Sequence, residues 1–276
     1  MIQISQFGEI TQFRMGRESQ GQEPWQPRGQ VFYWTSAYLV DGLLIDTGCP
    51  HTAGEFVRAL EGRDIKLAVN THYHEDHIGA NYLLQQKFGL RILASRESIP
   101  LINGVYKLYP YQELVWGYPV PTKVELLPEK IETERFRFDV VPTPGHSKGH
   151  VALVEATQGW CFSGDLFASR EPKAVRPEED VAGIVRSMQK LVDLKTDQLI
   201  LFTSLGNVVK DGREALRACI AYLKDLSLKA KQLERQGLSA SAIRDQLFGR
   251  ETVLAGLTEG QLSAENMIRA ALRAKM

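Results

Sequence analysis

The sequence predicts an α/β fold. Short apolar runs of strand type, such as residues 65–70 and 198–202, alternate with stretches whose apolar residues recur at helical spacing, such as 178–194. The densest polar cluster, Thr71-His72-Tyr73-His74-Glu75-Asp76-His77-Ile78-Gly79, falls where a strand ends and a helix begins. That junction is the usual place for a site in such a fold. A length of 276 residues, 43% of them apolar, suits one large globular domain or two small ones.

Residues 1–14 alternate loosely and predict an edge strand. Residues 16–30 are rich in Gly, Gln and Pro and predict a surface loop. Val31–Val40 and Leu43–Asp46 are two strands split by Asp41-Gly42, a strong hairpin signal. A short amphipathic helix follows over 52–61, with Phe56, Val57 and Leu60 on one side. Strand 65–70 then leads into the cluster, and the helix behind it spans Ala80 to Phe88. Leu90–Ala94 is another short strand.

Residues 96–121 fit neither period. They hold Tyr106, Tyr109, Tyr111, Trp116 and Tyr118 among prolines 100, 110, 119 and 121. The segment predicts either a lid over a substrate with an apolar part, or a mobile insertion packed only on itself. Strands are expected over 134–141, 151–155, 160–165 and 198–202, with a helix over 178–194. A long helix over 213–236 presents Leu216, Ile220, Leu223, Leu226, Ala230 and Leu233 on one face. Gly237 ends it, and Ser239 caps the next of the short helices expected near 239–248, 251–256 and 263–274. The expected division is a catalytic domain over 1–210 and a helical extension over 211–276. The extension packs on the core, covers the site mouth or makes a homodimer.

Lys plus Arg equals Asp plus Glu, at 33 each, which gives no sign of a nucleic-acid or membrane partner. The expected partner is a small-molecule substrate. Cys49, Cys161 and Cys219 form no CxxC pair and no disulfide framework, as in a reducing compartment. The opening residues lack a signal-peptide pattern, and no apolar run reaches a membrane span of about 20 residues. A cytoplasmic location is the expectation.

The chemistry lies in the cluster. Residues two apart in extended backbone point the same way, so His72 and His74 converge on one ion, with Asp76 and His77 on the turn beside them. One histidine alone is usually structural. Three imidazoles and a carboxylate crowded together without a shared partner are costly, and a metal removes that cost.

His72-x-His74-x-Asp76-His77 resembles the signature of the metallo-β-lactamase fold superfamily of metal-dependent hydrolases. The resemblance covers roughly residues 30–210 and implies an αββα sandwich with the metal at one edge of two facing sheets. It makes His146, in Thr143-Pro144-Gly145-His146-Ser147, the third metal-binding histidine. It makes Asp165, after Ser163-Gly164, the carboxylate bridging two ions. It places Asp46, in Leu43-Leu44-Ile45-Asp46-Thr47-Gly48, beneath the site as support for a ligand. His72, His74 and His146 would hold one ion, and Asp76, His77 and Asp165 a second. Asp76 would also orient water and move a proton. His150 opens a strand and reads as structural or supporting.

The chain departs from the family at Thr203-Ser204-Leu205-Gly206-Asn207, where Leu205 stands in place of an expected histidine. The second ion is then held weakly, or is not retained, or gains a ligand from Ser204 or Asn207. Zinc is the expected cofactor, as one or two ions, with iron or manganese as alternatives. The implied activity is hydrolysis of an ester, thioester, lactone or similar small substrate by hydroxide generated on the metal. The alternatives are a single-iron enzyme that oxidises sulfur compounds and a degenerate domain that binds metal without turnover.

Overall fold

Two β-sheets pack face to face, with helices on both outer surfaces. The computed structural model describes residues 1–21 and 27–275. The first sheet holds β1 (Ile2–Phe7), β2 (Ile10–Met15), β3 (Thr35–Val40), β4 (Leu43–Ile45), β5 (Leu67–Val69), β6 (Ile92–Ala94) and β7 (Glu125–Leu126), side by side in that order. Pairing is antiparallel from β1 to β4 and parallel from β4 to β7. The second sheet contains β8 (Lys130–Glu132), β9 (Arg137–Pro142), β10 (Val151–Glu155), β11 (Trp160–Gly164), β12 (Ile200–Thr203) and β13 (Val208–Val209). Here β11 and β12 pair in parallel and the other neighbours antiparallel.

The helices are α1 (Ala53–Ala59), α2 (Glu75–Ile78), α3 (Asn81–Phe88), α4 (Ile99–Ile102), α5 (Pro110–Val115), α6 (Val181–Val192), α7 (Gly212–Arg235), α8 (Ala240–Phe248), α9 (Val253–Leu257) and α10 (Ala264–Arg273). None of the described helices is long and apolar enough to cross a membrane.

Adjacent strand residues serve different cores because their side chains alternate in direction. Leu43 and Ile45 of β4 point between the sheets, where they meet Val69, Leu153, Phe162 and Phe202. Leu44 points outward to Phe56 and Leu60 and to Leu84 of α3. On β10, Leu153 faces the inner core, while Ala152 and Val154 join α6, α7 and α10 on the outer face. Burial on both faces explains why these strands read as nearly continuous apolar runs. The helical C-terminal region shares this outer core with the second sheet through Leu216, Leu223, Ile243, Met267 and Ile268.

Several expectations are corrected. Residues 1–14 form a hairpin rather than one strand, and Gly8, at φ 59°, makes the turn. The 16–30 loop carries a bridge between Glu18 and Val31, and its residues 22–26 lie outside the described residues. The Asp41-Gly42 turn is as expected, with φ values of 47° and 81°. The 96–121 segment contains α4 and α5. Proline at the start of each helix costs no hydrogen bond there. Its Tyr111 and Trp116 are buried against Cys49 instead of packing only on one another.

Candidate metal centre

The site forms where the ends of β4, β5 and β11 meet the loops that follow them. Asp46, just past β4, adopts φ 60°, a left-handed conformation that Asp tolerates. Its backbone N–H donates to the Val69 carbonyl at 2.8 Å. Its carboxylate accepts from the Thr71 N–H at 2.7 Å and from the Thr71 hydroxyl at 2.8 Å. The same carboxylate meets His77 Nδ1 at 2.7 Å. Asp46 therefore locks the exit of β5 and turns the His77 ring so that Nε2 faces the site. The α2 turn can approach this closely because Gly79 has no side chain: a Cβ there would lie 2.2 Å from the Cys49 carbonyl carbon.

His72 sits on the bend that follows β5, and His74 takes the N-cap position of α2 at φ −62° and ψ 149°. His146 rides on the loop between β9 and β10. That loop is pressed onto the start of α6, where a Cβ on Gly145 would lie 2.4 Å from the Ile184 nitrogen. His74 Nδ1 lies 2.9 Å from His72 Nε2 and 2.9 Å from His146 Nε2. Asp165 completes the group, with Oδ2 at 3.2 Å from His146 Nε2 and Oδ1 at 3.3 Å from His77 Nε2. Asp76 Oδ2 lies 3.6 Å from His77 Nε2. Two overlapping sets of donor atoms result. One comprises His72, His74, His146 and Asp165, the other Asp76, His77 and Asp165.

These residues fit metal ions. One ring nitrogen offers either a proton or a lone pair, so His74 Nδ1 cannot satisfy both neighbours at 2.9 Å. His77 Nε2 is buried with no hydrogen-bond partner of adequate geometry. Burial, helped by the neighbouring imidazoles, holds the His72 pKa well below its usual value. Burial and Arg176 do the same to His74, so both rings keep lone pairs available. Burial also disfavours charge on His77, but Asp46, Asp76 and Asp165 outweigh it and raise its pKa well above the usual value. Burial opposes ionisation of Asp165, yet His77 and His146 hold its carboxyl well below the usual range. A positive charge is thus favoured beside His77, which a proton or an ion can supply.

All six residues named as ligands from the sequence are brought together, with Asp46 behind His77. His150 stands outside the set. Its Nδ1 meets the Thr143 hydroxyl at 2.8 Å, and its Nε2 accepts the Asp165 N–H at 3.1 Å. Of the two stand-in ligands, the Ser204 hydroxyl reaches Asp165 Oδ1. Asn207 is exposed and bonds Thr203 through its backbone.

Sequence reasoning missed a surrounding polar shell. Glu179 Oε2 lies 3.2 Å from His146 Nδ1, and its Oε1 accepts the Arg176 N–H at 2.9 Å. Arg176 is 8% exposed, and its Nη1 approaches His74 Nε2 at 3.4 Å. Glu75 accepts from Gln112 of α5 at 2.8 Å, and burial with the neighbouring Asp76 pushes its pKa up to about 7. The run Glu178-Glu179-Asp180 before a helix looks like an ordinary helix start, so it carried no signal. A cavity of about 390 Å³ opens from the site; Asp76, His146 and Asp165 line one part of it, with Tyr33, Trp116 and Arg176 beside them.

Residues 35–202 match the family model of the metallo-beta-lactamase superfamily. The chain belongs to this superfamily. It is 28% identical over 183 residues to a hydroxyacylglutathione hydrolase of Haemophilus influenzae, covering 62% of this chain and 82% of that one. It is 30% identical over 179 residues to a probable metallo-hydrolase of Methanocaldococcus jannaschii, covering 61% and 84%. Among solved structures, a beta-lactamase domain protein from Burkholderia ambifaria matches 99% of this chain and 83% of its own, with a TM-score of 0.65 at 18% identity. A metallo-beta-lactamase family protein from Thermus thermophilus matches 95% and 91%, with a TM-score of 0.63 at 19% identity. These two likenesses show the αββα fold and extend through the C-terminal helices. Family, relatives and the clustered His and Asp donors together make this chain a metal-dependent hydrolase of the superfamily.

Proposed function

We propose that the protein hydrolyses a small ester, thioester or lactone in the cytoplasm. One metal ion would be held by His72, His74 and His146, and a second, weaker one by Asp76, His77 and Asp165. When bound, such an ion supplies a Lewis acid and activated water at neutral pH. Nitrogen and carboxylate donors suit zinc first, with iron and manganese also matched to them.

The chain's own groups do the rest. Asp165 faces both donor sets and is fixed by the Ser204 hydroxyl and by His150. Asp76 Oδ2, beside His77 Nε2, orients the attacking water, takes its proton and passes one to the leaving group. Burial, with a contribution from the Asp165 carboxylate, raises the Asp76 pKa, which suits a group that must hold a proton briefly. Glu179 fixes the His146 ring from behind, and Asp46 fixes the His77 ring. Trp116 and Tyr33 line the cavity, so the aromatic insertion contributes a wall to the substrate site through Trp116.

The convergence of three imidazole nitrogens with Asp165 carries this reading. The name of the H. influenzae relative describes an acyl thioester as its substrate, which favours thioesters among the candidates. The test is metal content per chain by elemental mass spectrometry on gently purified protein, followed by an ester, thioester and lactone panel. One or two zinc ions with turnover support the proposal. About one iron, with oxygen consumed in the presence of a persulfide, would replace it with sulfur oxidation. Folded protein that takes up no added metal would point to a domain without turnover.

A further inference from the structure

The cavity beside the metal centre does not end there. Its wall continues through Ile184 and Met188 of α6, Leu223 of α7 and Met267 of α10. These four are at most 7% exposed, so they form a closely packed apolar floor under the space, supplied by α6, α7 and α10. Leu254 of α9, 43% exposed, and Leu262 line it as well. The backbone of Ser263 pairs with Val175, which ties the C-terminal segment to the loop carrying Arg176. Leu205 lines the same space, next to Ser204 and its bond to Asp165. The residue that departs from the family pattern thus adds apolar surface where the metal end meets the interior.

We infer that this cavity binds the aliphatic tail of the substrate and that the C-terminal helices set its length. The inference rests on the hydrolase reading and names its substrate class: esters or thioesters with a medium-length apolar chain. Buried apolar walls leave a chain as the matching occupant, because a polar group there would lose its water without gaining a partner. At roughly 30 Å³ per water-sized group, the cavity holds about a dozen heavy atoms. After the carbonyl at the metal end, space remains for roughly six to ten carbons.

The experiment compares kcat/KM of the metal-replete protein for butanoyl and octanoyl thioesters of N-acetylcysteamine, and for butyl and octyl acetate. Full burial is worth about fourfold per methylene, so half that free energy over four methylenes gives roughly a 16-fold preference for the longer chain. That preference in either series supports the inference. So does its fall to about twofold or less in Leu223→Trp, or in the rim variant Leu254→Trp, whose exposed position tolerates a larger side chain. Cleavage of the butanoyl thioester with an octyl-to-butyl ratio near one in both series would overturn the inference while leaving the hydrolase reading intact. If neither series is cleaved, the ester and thioester reading fails while the metal-dependent hydrolase stands, and calorimetric titration with decanoate decides the cavity's role. Saturable binding lost in Leu223→Trp upholds it, and absence of binding overturns it.

Discussion

Replacing Asp46 by Asn tests how the second donor set is held. The Asp46 carboxylate is 3% exposed and meets three groups at 2.7–2.8 Å: the Thr71 N–H, the Thr71 hydroxyl and His77 Nδ1. Asn keeps one acceptor oxygen, enough for the Thr71 N–H. Its NH₂ then faces the hydroxyl, which can turn to accept, or the His77 ring, whose Nδ1–H is stranded. Hydrogen bonds to a charged group are worth about 1.5–3 kcal/mol, and a stranded buried donor costs about 1–3 kcal/mol. These two effects overlap, so the metal-free protein should lose roughly 2–4 kcal/mol in urea unfolding. Asn also tolerates the left-handed backbone at φ 60°, so the variant reports the carboxylate without the 1–2 kcal/mol strain, roughly, that Ala would add.

Removing the partner behind a ligating histidine typically lowers metal affinity by about 10–100-fold. In Asp46→Asn the loss should fall on the set containing His77, leaving the His72, His74 and His146 set nearly as tight as before. Competition with a chromogenic chelator measures both affinities. Equal loss at both sites would mean that Asp46 acts through the Thr71 backbone. Unchanged affinity and stability would refute the reasoning altogether.

Other outcomes follow from the same geometry. His72→Ala and His146→Ala should each lose metal and activity together while keeping the native circular dichroism spectrum; activity retained in both would remove the proposed centre. Leu205→His should tighten the second ion, because residue 205 lines the cavity beside Asp165; unchanged stoichiometry and affinity would count against that placement. Adding zinc at pH 7 should release protons, since the raised pKa of His77 leaves its ring protonated before an ion binds; calorimetry in buffers of differing ionisation enthalpy reads this directly. The sign for stability is equally definite. A folded-state pKa raised above 6.5 makes His77 stabilise the metal-free protein fully below that value and progressively less as pH rises through the raised one. Metal-free protein that gains urea resistance from pH 7 to 9 would contradict this.

The centre was legible because its ligands obey short-range rules. His72, His74, Asp76 and His77 lie within one strand exit and one helical turn, so spacing alone brings them together. His146 and Asp165 needed the family resemblance, because a loop after β9 and a turn after β11 meet the cluster only through sheet packing. The layered architecture likewise exceeded what periodicity provides. Strands β7 and β13 have two residues each, and β8 has three, too few for alternation to register. The helices α4 and α5 hid behind their prolines, since a Pro that opens a short helix looks in sequence like one that forbids it.

The polar shell was illegible for a different reason. Glu179 and Arg176 act from the loop before α6, and they reach the histidines only because Gly145 lets the His146 loop lie against that helix's start. No periodicity or motif encodes such a meeting. Its consequence is an asymmetry between the two donor sets. The first is built from three rings, one of which Glu179 orients, and it needs only one carboxylate beside it. The second has one ring, and that ring depends on Asp46, while its shared carboxylate depends on Ser204 and His150. Substitutions behind the second set should therefore shift metal stoichiometry before they abolish metal binding, and the residue beside Ser204 can be apolar without dismantling the first.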